Sequence, residues 1–177
     1  VVGSEANVGA LIAGFAATGL GDNRLRLGVL AAIGVASAIL VGFDEAAIPL
    51  TIGAFGQAIV LVAILLAVVR RVLRHERVGM PTIAGAIAAY VLIGLIFAWT
   101  YLAMDGLFDG PVLDPGVAGL PTYYSFEVLT TLGFGDITPV NDLVGRLTAL
   151  EAMAGQIFLA TLVARLVSMY GSPVRSQ

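Results

Sequence analysis

Between positions 131 and 135 the chain reads Thr-Leu-Gly-Phe-Gly, and the chemistry this stretch offers lies mostly in its main chain. Peptide carbonyls are hard oxygen ligands, the kind a hard cation prefers. In an ordinary strand they alternate sides with the pleat. Glycine accepts positive φ without steric cost, so Gly133 and Gly135 permit the carbonyls of Thr131, Leu132, Gly133 and Phe134 to face one way. Together with the Thr131 hydroxyl they would replace the water shell of a dehydrated cation, provided that four such strands surround an axis. The plainer alternative is a glycine-rich turn ahead of Pro139.

The flanking residues extend the pattern. Thr131 to Gly135, read as TLGFG, resembles the TVGYG filter of potassium channels, in which carbonyl rings coordinate the ion. Tyr123-Tyr124-Ser125-Phe126-Glu127-Val128-Leu129-Thr130-Thr131 resembles the pore helix of that family, and Ile137-Thr138-Pro139 follows Asp136 as it does in many members. Leu150 to Gln156 is similar to the inner helix of the small bacterial pore-domain channels. The resemblance covers roughly 81 to 170 and implies an outer helix, a re-entrant pore helix, a filter and an inner helix.

Several expectations come from that resemblance alone. Thr131, Leu132, Gly133 and Phe134 hold K+, with Gly135 completing the filter, while Glu127, Asp136 and Thr130 support it from behind. Glu127 and Asp136 are expected to form a carboxylate pair, either sharing a proton or acting separately, with Asp136 as rim charge. Phe134 stands where tyrosine is commoner and lacks the hydroxyl that would hydrogen-bond behind the filter. One pore loop is a quarter of a filter, so a homotetramer follows.

Composition assigns the chain to the membrane by a separate route. Of its 177 residues 59% are hydrophobic and 12% charged, and the mean hydropathy is +0.99, far from the roughly 25% charge of soluble domains. Cysteine is absent, which excludes disulfides and thiolate metal sites. No cluster of nucleophile, base and stabiliser suggests an enzyme. No cofactor is expected beyond K+ as the permeant ion, and the partners expected are lipids and further copies of the chain, with no nucleic acid.

Charge-free runs at 6–21, 27–43, 46–69 and 78–104, with an apolar run at 143–170 interrupted by Arg146, Glu151 and Arg165, predict about five transmembrane helices. A span needs about 20 apolar residues. The fold class is therefore an all-α membrane protein with five spans plus the re-entrant helix. Residues 1–80 form an N-terminal helical region with a cytoplasmic connector, and 81–177 form the pore domain. Gly, Pro and Asp between Asp105 and Leu120 predict an exposed loop.

Arginine sets the orientation, since the chain has no lysine. Arg24 and Arg26 fall in one inter-helix loop and Arg70, Arg71, Arg74 and Arg77 in another; both are cytoplasmic by the positive-inside rule. The filter then faces outside, the C-terminus inside, and Asp44, Glu45, Asp105, Asp109, Asp114, Asp136 and Asp142 form an acidic outer rim. The same parity predicts one more helix before Val1. Arg71, Arg74 and Arg77 have the three-residue spacing of gating charges, but the run before them carries none, which predicts a connector at the headgroups and weak voltage dependence. His75 in that connector is read as solvated.

On the inner helix, Gly155 serves as a hinge or as a close packing contact. Gln156, Leu159 and Val163 share a face by i, i+3, i+7 spacing and could line the cavity below the filter. Glu151 must be satisfied by protein or water, by a bond to the pore helix or as an ion site. Arg146 and Arg165 are expected to snorkel. A weakly selective cation channel and a pore-like subunit of a potassium-uptake transporter remain as rival readings.

Overall fold

The absence of charge from Ala47 to Val69 lets a helix cross a bilayer, and in the computed structural model that helix continues to Arg74. The structure describes residues 47–74, 80–108, 111–114 and 121–170. Four helices are present among them: α1 (Ala47–Arg74), α2 (Met80–Asp105), the short α3 (Pro121–Leu129) and α4 (Asp142–Tyr170). Three of these, α1, α2 and α4, are long and apolar enough to span a membrane. No strand occurs among the described residues, only an isolated bridge between Leu113 and Pro139. The expected helices at 6–21 and 27–43, and the connector residues His75 and Arg77, lie outside the described residues.

α1 passes the expected end of its apolar run because loss of apolar character marks the edge of the hydrocarbon, not the end of a helix. Arginine is a good helix former, and Arg70, Arg71 and Arg74 sit where a helix's negative C-terminal end favours cations. At the other junction Pro81 occupies the first turn of α2, where its missing N–H is not needed.

α1 and α2 pack along their length through Ala54, Ala58, Leu61, Ile64 and Val68 against Ala89, Leu92, Leu95 and Trp99. Lipid tails are as apolar as these side chains, so close van der Waals approach through the alanines holds the pair, in place of a hydrophobic driving force. At its end α1 meets two neighbours. A Cβ added to Gly85 would lie 2.8 Å from Val72 Cγ2, and the Val72 carbonyl accepts a bond from Arg165 Nη2 on α4 at 3.2 Å. Arg165, expected to snorkel, thus reaches back to α1.

A second cluster joins the opposite end of α2 to the residues around the filter segment: Tyr101, Met104, Val112, Tyr124, Ile137 and Val144. The loop after α2 is tied down by the Val112 N–H donating to Asp105 Oδ1 at 2.9 Å. It pairs with the segment following Asp136 through Asp114 N–H to the Thr138 carbonyl, 2.8 Å, and Val140 N–H to the Val112 carbonyl, 2.9 Å. Asn141 caps α4, its Oδ1 accepting the Val144 N–H at 2.9 Å, as an N-cap residue does. From there α4 runs as one helix through Gly155 to Tyr170.

Candidate functional site

The site begins at the C-terminal end of α3, where four carbonyls lose their helical partners. Each finds another. The Phe126 carbonyl accepts the Thr130 N–H at 3.1 Å, Val128 accepts Thr131 N–H at 2.9 Å and Glu127 accepts Leu132 N–H at 2.9 Å, while Leu129 accepts the Tyr90 hydroxyl at 3.1 Å. The Val128 and Glu127 bonds are the two of a Schellman motif, which requires a left-handed residue between them. That residue is Thr131, with φ of 56°.

Left-handed backbone then recurs at every second position: Thr131, Gly133 (59°) and Gly135 (75°). Such alternation departs from the pleat of a strand, whose residues share one extended conformation. At the glycines it is free of steric cost. At Thr131, a β-branched residue, it costs about 1–2 kcal/mol. The composition of the segment revealed the glycines but not this threonine; the signal available was its place two residues before Gly133, in phase with both.

The side chains behind the segment take separate partners. Glu127 is buried and its Oε1 accepts the Phe134 N–H, while its buried Oε2 has no hydrogen-bond partner among the described residues. Asp136 accepts the Tyr123 hydroxyl at 3.1 Å and the N–H of Ile137 at 3.1 Å. The two carboxyl groups are therefore engaged differently, one on the Phe134 backbone and one on the start of α3. Thr130 bonds back to the Phe126 carbonyl at 2.7 Å, closing α3. Leu132 and Phe134 extend apolar side chains that remain 57% and 67% exposed on the single chain.

α4 meets this segment at two consecutive residues. Gly155 approaches so closely that a Cβ there would sit 2.3 Å from the Leu129 carbonyl oxygen, which makes it a packing contact against the end of α3. The next residue, Gln156, donates from Nε2 to Thr131 Oγ1 at 3.1 Å. Leu159 and Val163 continue the exposed face of α4 below it.

One turn before Gly155, Glu151 is wholly buried. Its Oε2 accepts the Tyr101 hydroxyl at 2.7 Å, and Ser125 Oγ reaches both Glu151 Oε1 and the Gly94 carbonyl at 2.6 Å. A hydroxyl has a single proton, so Ser125 donates to one of these two acceptors at a time. Tyr124 adds a 2.8 Å bond to Thr148 beside this cluster. Glu151 thus joins α2, α3 and α4; the expected bond to the segment 123–131 is made by Ser125, 26 residues away, whereas Tyr101 on α2, 50 residues away, was not foreseen. Arg146 is exposed near the start of α4. Among the described residues no group of three or more acidic or histidine side chains could hold a metal ion.

A family model described as an ion channel matches residues 82–171, just over half of the chain. The inward rectifier potassium channel Kirbac3.1 of Paramagnetospirillum magnetotacticum is 26% identical over 84 residues, which make up 48% of this chain and 28% of that protein. The chain therefore spans less than a third of the length of that relative. No solved structure gives a significant match.

Proposed function

The chain belongs to the ion channel family, and from that premise we propose that it is a potassium-selective channel, passing K+ down its gradient through a filter shared by four copies. The observation that carries this reading is the left-handed backbone at Thr131, Gly133 and Gly135. In the proposal, the carbonyls of Thr131, Leu132, Gly133 and Phe134 and the Thr131 hydroxyl replace the hydration shell of K+, with Gly135 ending the row. Selectivity comes from the number and spacing of these oxygens. Glu127, Thr130 and Asp136 hold the segment from behind. The C-terminal end of α3, the negative end of its dipole, lies at the inner end of the filter, where it favours a cation.

Fourfold assembly draws support from what one chain leaves bare. The spanning part of α4 is 11% buried, against 50% for that of α2, and Leu132 and Phe134 need neighbours to cover them. Residues 82–171 act as the pore domain, with the helices before it as a bracing collar. The filter faces outside and the arginines of 70–77 face the cytoplasm. Purified protein in liposomes, tested for K+ and Na+ flux under opposed gradients and crosslinked to count subunits, decides the matter. Reversal potentials that follow the K+ gradient and a crosslinked tetramer are expected. Equal permeation of Na+ and K+ would leave a weakly selective pore instead, and flux by monomers or dimers would contradict the assembly.

A further inference from the structure

Thr131 stands at a position where glycine fits best. As the left-handed residue of the Schellman motif ending α3, with φ of 56°, it bears a strain that glycine would not. Strained residues persist where their surroundings over-determine them, and they concentrate at functional sites. The two main-chain bonds of the motif act equally on any residue placed there, so they do not explain a threonine. What distinguishes threonine from glycine is its side chain, and the one side-chain bond it makes is to Gln156, 3.1 Å away on α4. The next link is steric: Gly155 brings α4 against the Leu129 carbonyl, which sets the height at which the Gln156 amide meets the hydroxyl.

From these contacts we propose that Gln156 is a positioning residue for ion selectivity, fixing the Thr131 hydroxyl at the inner end of the filter. This rests on the channel reading above. The Gln156 N–H occupies one lone pair of Oγ1, which leaves the other lone pair in a defined direction. Without that bond the hydroxyl is free to rotate, and the strained backbone beneath it has one restraint fewer. Each copy of the chain brings its own amide, so the innermost oxygen ring is held from α4 all the way round. Gln156 need not touch the ion to act. Its effect passes through Thr131.

The test uses the full chain in liposomes, reading the K+/Na+ permeability ratio from reversal potentials. Gln156→Met keeps length and volume but removes the donor, and its ratio is expected to fall about tenfold, the effect of losing roughly one hydrogen bond's worth of discrimination. Its melting temperature and tetramer fraction should match the wild type. Thr131→Gly, which relieves the strain and deletes the hydroxyl, should also lose selectivity without losing stability. Adding Gln156→Met to Thr131→Gly should change the ratio no further, because the two act through one bond. An unchanged ratio in Gln156→Met, or an independent further loss in the double variant, overturns the proposal. If Gln156→Met does not yield folded protein, Gln156→Asn, whose amide is drawn back by one methylene, decides on the same ratio. Wild-type protein that passes no cations would defeat the channel reading itself, whereas a selective wild type with a selective Gln156→Met defeats only the role of Gln156.

Discussion

Gly155 and the carbonyl oxygen of Leu129 are in such close approach that the smallest side chain at 155 would lie 2.3 Å from that oxygen. The obstacle is main chain, at a carbonyl already bonded to Tyr90, and cannot swing aside. α4 is positioned on α3 by this contact.

Gly155→Ala is therefore expected to destabilise the protein. Alanine gains up to about 1 kcal/mol in helix propensity, but overpacking against fixed backbone costs about 1–3 kcal/mol, and the second effect wins. Gly145→Ala provides the comparison, since a Cβ there meets only Pro139 Cγ at 3.8 Å, an ordinary contact. Thermal unfolding in detergent should show Gly155→Ala melting below the wild type and Gly145→Ala at or above it. The opposite order would show that α4 can move away from α3 at little cost.

At Gly133 and Gly135 a Cβ would meet nothing within 4 Å on the chain. Alanine at either position is consequently penalised through φ alone, about 1–2 kcal/mol per copy. Folding should survive while K+ flux is lost, because the residue relaxes out of the left-handed region and its carbonyl turns with it. Normal flux from either variant would mean that the left-handed backbone is dispensable.

Glu151 should accept replacement by glutamine and not by alanine. A glutamine keeps the volume, still accepts from Tyr101 through its carbonyl and keeps a polar group beside Ser125. Alanine leaves two buried hydroxyls without that partner and opens a cavity, at a cost of about 2–5 kcal/mol. Yield of folded protein and melting temperature measure the difference; equal loss in both variants would show that the carboxylate charge is required.

Voltage should have a weak effect on conduction. Moving a charge across the membrane is worth about 2.3 kcal/mol per 100 mV, and in α1 the charges are confined to Arg70, Arg71 and Arg74 in its last turns. Single-channel recording should find open probability nearly flat over about 100 mV. A steep rise that is abolished by neutralising Arg71 and Arg74 would make these arginines voltage sensors.

The sequence made the three long apolar helices legible through their runs without charge, and the left-handed glycines and the short α3 through paired glycines and an aromatic start, because each depends on local composition. What it hid depends on distance. A buried Glu151 demanded a partner, but nothing local singled out Tyr101 and Ser125 from other hydroxyls on neighbouring helices. The resemblance implied Glu127 and Asp136 as a pair, whereas the fold turns one to the Phe134 N–H and the other to Tyr123. Thr131 escaped notice as a left-handed residue because its type argues against that conformation and only the end of α3 imposes it. The bond from Gln156 to Thr131 could not be read from the sequence, because it required knowing how deeply Gly155 lets α4 settle.

The end of α1 is held in two independent ways, by the Val72 side chain against Gly85 of α2 and by the Val72 carbonyl under the Arg165 guanidinium of α4. Mechanically this is a lever with two outputs. A displacement of that end loads the outer helix by steric push and the inner helix by electrostatic pull, in the same motion. The first output depends on the size of the residue at 72 and the second on backbone path alone, so trimming Val72 would slacken the push while the pull endured.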